Sequence, residues 1–340
     1  MKGIVLNDIY KHFRILNRHE GFLGSIRDLF SRNYRWVKAV DGISFNIGQG
    51  ELVGFIGPNG AGKSTTIKML TGVLQPTGGA ISVDGFVPFK QRPRYVRNIG
   101  IVFGQRTQLW WDLAVIESFK LLKEIYEIDL TAYERNLGIF NDLVNLRELY
   151  KIPVRNLSLG QRMLCDIAAS FLHDPGIIFL DEPTIGLDVE IRSKVRSIIR
   201  ELNSLKKTTI LISSHDVGDI ERLARRIILL DKGKILYDGP TDKFNNIFGA
   251  YRTLNLAVQE LSPAEIESLK AQTLKRSGND ACLEFGEMSA GWLPVSFDQE
   301  KIPLLEILHP ILAKFRIKDI KVQDIEMEEV IKRVYAGALG

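Results

Sequence analysis

Apolar and polar positions along the chain follow two periods. Residues 52–56, 99–103, 177–180, 209–213 and 227–230 are short runs that are almost wholly apolar. Runs of this length predict strands buried on both faces, as in the middle of a parallel sheet. Between them the spacing turns helical. Val115, Phe119, Leu122, Ile125 and Tyr126 share one face, as do Met163, Leu164, Ile167 and Ala168. Ile191, Val195, Ile198, Ile199 and Leu202 share another. Strands alternating with helices predict an α/β fold, a sheet covered by helices on both sides. The helical block from about 113 to 150 interrupts that alternation. Residues 3–7, 39–47 and 81–85 predict further strands, and Asp231-Lys232-Gly233 between two apolar runs predicts a hairpin.

Two stretches stand apart. Between the first two strands, Phe22, Leu23, Ile26, Leu29 and Phe30 recur at helical spacing, with Arg27, Arg32 and Arg35 mostly off that face. This reads either as a surface helix packed on its own domain or as a basic amphipathic helix lying against a membrane or a membrane partner. After about residue 241 the pattern changes. Strands at 252–259, 281–285 and 317–322 and helices at 303–315 and 326–335 are expected. A further helix starts at Ser262-Pro263-Ala264-Glu265, with proline in the first turn. These residues predict a small α+β domain without a catalytic constellation.

Composition narrows the class. The chain has 340 residues, 45% hydrophobic and 25% charged, which suits one large or two modest globular domains. No apolar run approaches the roughly 18 residues needed to span a bilayer, and the start of the chain carries no signal-peptide pattern. Cys165 and Cys282 read as packing residues and suggest no disulfide framework. The net charge of +4 is too small to argue for nucleic acid, and no nucleic-acid partner is expected. It is concentrated near the start, where residues 11–38 hold seven Lys/Arg against Glu20 and Asp28.

The chemistry centres on Gly57-Pro58-Asn59-Gly60-Ala61-Gly62-Lys63-Ser64-Thr65, between a strand and a helix. Glycines let backbone N–H groups turn around an anion, and the helix start adds its positive dipole end. Lys63 brings a charge to the β- and γ-phosphates, and the Ser64 hydroxyl suits Mg2+. A glycine-rich turn arising by chance would not also carry both flanking elements. Asp181 and Glu182 end an apolar strand. There Asp181 can reach Mg2+, and Glu182 can orient and deprotonate a water. Alone they would read as solvated turn acids; beside the phosphate loop they read as catalytic. Ser158-Leu159-Gly160-Gln161 is by itself a helix start with a capping box.

Taken in order and spacing, residues 57–65, Gln105, 157–161, 180–183, 186–188 and His215 resemble the ATP-binding subunit of ABC transporters. The resemblance covers about residues 1–245. It implies a P-loop NTPase core with a helical subdomain inserted at about 106–172; an extra amphipathic segment at about 14–33 and an accessory α+β domain at 250–340 are expected from the pattern alone. It implies that Lys63, Ser64 and Thr65 hold phosphates and Mg2+, and that Gln105 touches Mg2+ or the attacking water. Asp181 would bind metal, Glu182 would act as base, and His215 would contact the γ-phosphate. Asp188 would cross a dimer interface. Tyr34 lies 29 residues before Lys63, where the family places an aromatic ring on adenine, and Trp36 competes for that role.

The family pairs two subunits head to tail, so that Ser158, Gly160 and Gln161 of one would cover ATP bound to the other. The usual signature has glycine where this chain has Leu159, which keeps the N–H donor and adds bulk. In detail the chain is most similar to ATPases of ABC-2-type exporters, including a poorly characterised bacterial subgroup that resembles it at 103–112. The expected protein is an ATPase at the cytoplasmic face of the cell membrane, homodimeric, attached to a separate permease. The rival is a non-transport ABC ATPase acting on ribosomes or DNA. Ribosome-acting members usually hold two such domains in one chain, and DNA-repair members carry a long coiled coil between the motif halves.

Overall fold

The computed structural model describes residues 3–16, 34–104, 106–248, 251–258, 265, 268, 283–286, 288, 291–314, 317–325 and 327–335. The chain divides into two compact units, Met1–Gly239 and Pro240–Gly340.

The first unit is built on a six-stranded sheet. Its strands are β3 (Leu52–Ile56), β5 (Ile99–Phe103), β6 (Ile177–Asp181), β7 (Thr209–Ser214), β8 (Arg226–Asp231) and β9 (Lys234–Pro240), in the order β5-β6-β7-β3-β8-β9. The pairs from β5 through to β8 are parallel. Parallel strands buried on both faces need continuous apolar runs, and β6 and β7 are buried throughout. The β8–β9 turn places Lys232 and Gly233 at φ 46° and 77°, the left-handed pair that a tight two-residue hairpin requires.

A second sheet holds β1 (Ile4–Leu16), β2 (Tyr34–Ile47) and β4 (Gly78–Val83), antiparallel in the order β2-β1-β4. Here the structure corrects the sequence reading. The first strand runs nine residues past Asn7, and β2 starts five residues before Ala39, so residues 14–16 belong to a strand and not to an amphipathic segment. The far part of this ribbon is largely solvent-exposed on both faces, which removes the alternation that marks a strand. Backbone pairing continues all the same, from Lys11 opposite Val40 to Leu16 opposite Tyr34. The proposed helical face at Phe22–Phe30 lies outside the described residues.

The helical layer holds α2 (Val115–Ile125), α3 (Leu130–Val144) and α4 (Leu159–Phe171). Of the face expected on α2, Val115, Phe119 and Leu122 are buried, whereas Ile125 is 57% exposed. A buried amide anchors the layer. Asn136 donates to the Leu172 carbonyl at 2.9 Å and accepts from the Lys206 ammonium at 2.9 Å. The long helix α5 (Val189–Lys206) buries Val195, Ile198, Ile199 and Leu202, as its spacing predicts.

In the second unit, β10 (Tyr251–Val258), β11 (Leu283–Phe285), β12 (Trp292–Asp298) and β13 (Ile317–Asp324) form an antiparallel sheet in the order β11-β12-β10-β13. With helical residues Glu265 and Ser268 after β10 and the helix Leu304–Lys314 after β12, this is the split β-α-β arrangement. β12 has no counterpart in the sequence reading, since Pro294 argues against an inner strand. Leu293, Val295 and Phe297, all buried and alternating, outweigh the proline.

Candidate functional site

The parallel sheet places several strand ends and their following turns at one edge, and the site forms there. After β3 the chain turns through residues 57–62 into the helix α1 (Lys63–Leu70). Gly62 stands at φ 111°, and a Cβ there would lie 2.5 Å from the Ala39 carbonyl oxygen. Only glycine fits both demands. The turn is closed by Ala61 N–H on the Pro58 carbonyl at 3.2 Å and Gly233 N–H on the Ala61 carbonyl at 2.9 Å.

Lys63 is 5% exposed. Its ammonium donates to the Gly57 carbonyl at 2.6 Å and the Pro58 carbonyl at 3.2 Å, and lies 3.3 Å from Glu182 Oε1. The other Glu182 oxygen is 2.6 Å from His215 Nδ1. Glu182 thus bridges a cation on one side and an imidazole on the other. It sits at φ 56°, a left-handed backbone that non-glycine residues seldom adopt, just past the end of β6. Its N–H donates to the Ser213 hydroxyl at 3.1 Å.

Asp181, the last residue of β6, is 9% exposed. Its Oδ1 accepts the Ser64 hydroxyl at 3.1 Å and the Ser213 hydroxyl at 2.6 Å. Ser213 was not singled out from the sequence. Two serines closing an otherwise apolar strand were the available signal. Ser64 and Asp181 form an all-oxygen donor pair suited to a hard cation such as Mg2+. Together these groups open on a cleft of about 490 Å3 lined by residues 58–65, Ala39, Lys68, Val73, Phe103, Gly104, Arg106, Asp181, Glu182 and Ile185. Gly104 packs so closely that a Cβ would meet the Glu182 carbonyl oxygen at 2.1 Å. Gln105 lies outside the described residues, between two that line the cleft.

Other expected residues stand elsewhere. Tyr34 and Trp36 lie on β2 beyond Ala39, the β2 residue that lines the cleft, and the Arg14 guanidinium sits 3.6 Å over the Tyr34 ring. The structure brings neither ring to the cleft. Ser158 caps α4: its hydroxyl accepts Gln161 N–H at 3.2 Å, and the Gln161 side chain accepts Ser158 N–H at 3.0 Å. Gly160 is required by packing, because a Cβ would meet Ile191 Cγ2 at 2.8 Å. Leu159 is 37% exposed and rests on Gly186. Asp188 caps α5, accepting Ile191 N–H at 2.8 Å. Within one chain, the α4 tip does not line the Lys63 cleft.

Residues 40–185 match the ABC transporter family. The ABC transporter ATP-binding protein NatA of Bacillus subtilis (strain 168) is 34% identical over 210 residues, 62% of this chain and 85% of NatA. The chain belongs to the ABC transporter ATP-binding proteins.

The bacitracin transport ATP-binding protein BcrA of Bacillus licheniformis is 33% identical, over 67% of this chain and 74% of BcrA. The daunorubicin/doxorubicin resistance ATP-binding protein DrrA of Streptomyces peucetius is 33% identical, over 71% and 72%. Among solved structures, an ATP-binding subunit of an ABC transporter superposes with a TM-score of 0.59 at 25% identity, over 73% of this chain and 94% of that one. The cassette MJ0796 in a dimeric post-hydrolysis state with ADP and Pi superposes at 0.58 and 23% identity, over 70% and 98%, a likeness of fold. This ABC protein is therefore an ATP-binding and ATP-hydrolysing subunit, homologous to exporter ATPases of the ABC-2 type. The family resemblance read from the motifs is borne out. Among the described residues no helix is long and apolar enough to cross a membrane.

Proposed function

We propose that the chain powers a membrane exporter as a head-to-tail dimer, hydrolysing Mg2+-ATP at two composite sites. The observation that carries this reading is Glu182 held between Lys63 and His215, beside the Ser64–Asp181–Ser213 cluster. Residues 57–65 and Lys63 bind the phosphates. Ser64 and Asp181 would hold Mg2+, which supplies charge neutralisation at the phosphate oxygens. Glu182, oriented by Ser213 through its backbone and by His215 through its carboxylate, takes the proton of the attacking water. His215 then senses the γ-phosphate, and Gln105, between Gly104 and Arg106, reaches the same site. Adenine stacking by Tyr34 requires its ring to serve on the face not covered by Arg14.

The other half of the site comes from a second copy. The α4 tip carries the positive dipole end of its helix, which favours phosphate. Ser158, Gly160, Gln161 and Asp188 would approach ATP held on the partner's Lys63. Loss of the bridging phosphate charge opens the dimer, and a separate permease converts that opening into transport. The name of BcrA, a bacitracin transport ATP-binding protein, supports transport over a ribosomal or DNA-directed role, and work on a membrane permease would put the chain at the cytoplasmic face.

Two measurements test this. Glu182→Gln with ATP and Mg2+ should elute as a dimer and with ADP as a monomer; a monomer under both conditions removes the composite-site reading. Tagged full-length chain should be recovered from detergent-solubilised membranes with an integral membrane protein at fixed stoichiometry. Recovery of the chain alone, from the soluble fraction only, would favour a role outside transport.

A further inference from the structure

Asp166, midway along α4, is an acid inside the core, 3% exposed. Its Oδ1 accepts the Thr107 hydroxyl at 2.8 Å and the Gln108 backbone N–H at 3.0 Å. The Gln108 side-chain amide donates back to the Asp166 carbonyl at 2.8 Å, and the Thr107 hydroxyl accepts Leu109 N–H at 3.1 Å. One residue of α4 therefore holds Thr107 and Gln108 of the segment after β5, and Thr107 in turn holds Leu109. Burial pushes the Asp166 carboxyl up to about 6, against the Thr107 and Gln108 hydrogen bonds and the Arg162 charge. An apolar residue of similar size would occupy this position at lower desolvation cost, so the acid is better explained by what it positions than by net stability.

The near end of the same segment is tied to the cleft. Gly104 N–H donates to the Asp181 carbonyl at 2.8 Å, and Arg106 N–H to the Phe103 carbonyl at 3.0 Å. The far end of α4 is the Ser158 tip, eight residues before Asp166 and so about 12 Å along the axis. Gly104 is thus tied to the Asp181 strand end, and Thr107 and Gln108 to a helix whose tip the proposed second copy needs.

We infer that Asp166 is a positioning residue for ATP turnover. It fixes the helix carrying Ser158 and Gly160 to residues 107–109, so that the helix tip and the Asp181–Glu182 strand end hold a set separation. The inference rests on the two-copy reading above.

The test uses the full chain. Asp166→Leu fills the volume but accepts nothing, leaving the Thr107 hydroxyl and the Gln108 N–H buried without a partner, whereas Asp166→Asn keeps an oxygen for both donors. The Leu variant should lose about tenfold in kcat, the scale of one buried hydrogen bond left unmade, with KM for ATP unchanged. The Asn variant should restore wild-type kcat. In a Glu182→Gln background, ATP-driven dimerisation should be weakened by Leu and kept by Asn. Unchanged kcat in Asp166→Leu overturns the inference, and so does equal loss in the Asn variant, which would make charge and not position the cause. If Glu182→Gln alone stays monomeric, the two-copy reading falls and the kcat and KM comparison alone decides the role of Asp166. If Asp166→Leu does not fold, Thr107→Val carries the same comparison. It should lower kcat by a smaller factor at constant KM, and no change in kcat overturns the inference.

Discussion

The mostly parallel six-stranded sheet of the first unit and the four-stranded antiparallel sheet of the second teach opposite lessons. In the parallel sheet, β3, β6 and β7 all end at the same edge. The turns that follow bring Lys63, Asp181, Ser213 and His215 together from stretches of chain more than 30 residues apart. In the antiparallel sheet, neighbouring strands end at opposite edges, and the polar groups pair within the fold. Thr253 meets Ser296 at 3.4 Å, and Asn255 donates to Gln323 at 3.0 Å. The core below is apolar, with Leu254, Leu256, Val295, Phe297 and Ile307 buried. A parallel sheet collects loops for a ligand at its carboxyl edge; an antiparallel one of this size satisfies itself.

The contrast is broken or sharpened by four substitutions, in falling order of effect on turnover. Glu182→Gln removes the base and should lower kcat by about 1,000-fold, within the range of general-base loss; steady-state phosphate release measures it, and a loss below tenfold would move the base elsewhere. Lys63→Ala should weaken ATP binding by about 100-fold, the loss of a charge-assisted phosphate contact, read by equilibrium titration. Ser213→Ala withdraws a donor from Asp181 and an acceptor from Glu182 N–H, and should cost about tenfold in kcat. Leu256→Ala in the antiparallel sheet should destabilise its unit by about 2–5 kcal/mol and leave kcat unchanged. A comparable fall in kcat there would show that the second unit is part of the catalytic machine.

Asp166 gives a smaller, pH-dependent effect. Its folded-state pKa is raised to about 6 by burial, above the ordinary carboxylate value. A raised acid contributes stability while protonated and loses it as pH rises through the folded value. Wild type should therefore lose stability relative to Asp166→Asn as pH rises from about 4, the ordinary carboxyl range, to about 6, and stay level above that, as thermal melts of the two proteins would show. A difference independent of pH would mean that Asp166 does not titrate in this range.

Much of the site was legible because its elements are local. A glycine-rich turn between strand and helix, an acid pair closing an apolar strand and a capped helix start each announce themselves within ten residues. Ser213 was not legible, since a serine at a strand end gains meaning only once β7 lies beside β6. Asp166 was not legible either, as one acid among the apolar positions of its helix. Its reason is Thr107 and Gln108, 59 and 58 residues away. The extended β1–β2 ribbon escaped for a different reason, because a strand exposed on both faces carries no period.

The sequence by itself determined the glycine-rich loop, the acid pair closing its strand, the capped helix and the apolar strands, because backbone preference and burial act over a few neighbouring residues. The tertiary structure decided what those parts do to one another. It set Glu182 between Lys63 and His215, turned Asp166 into a joint between two elements, and left the Ser158 tip outside its own cleft. Those outcomes depend on strand order and crossover, which bring distant residues within hydrogen-bond reach and which no local pattern encodes.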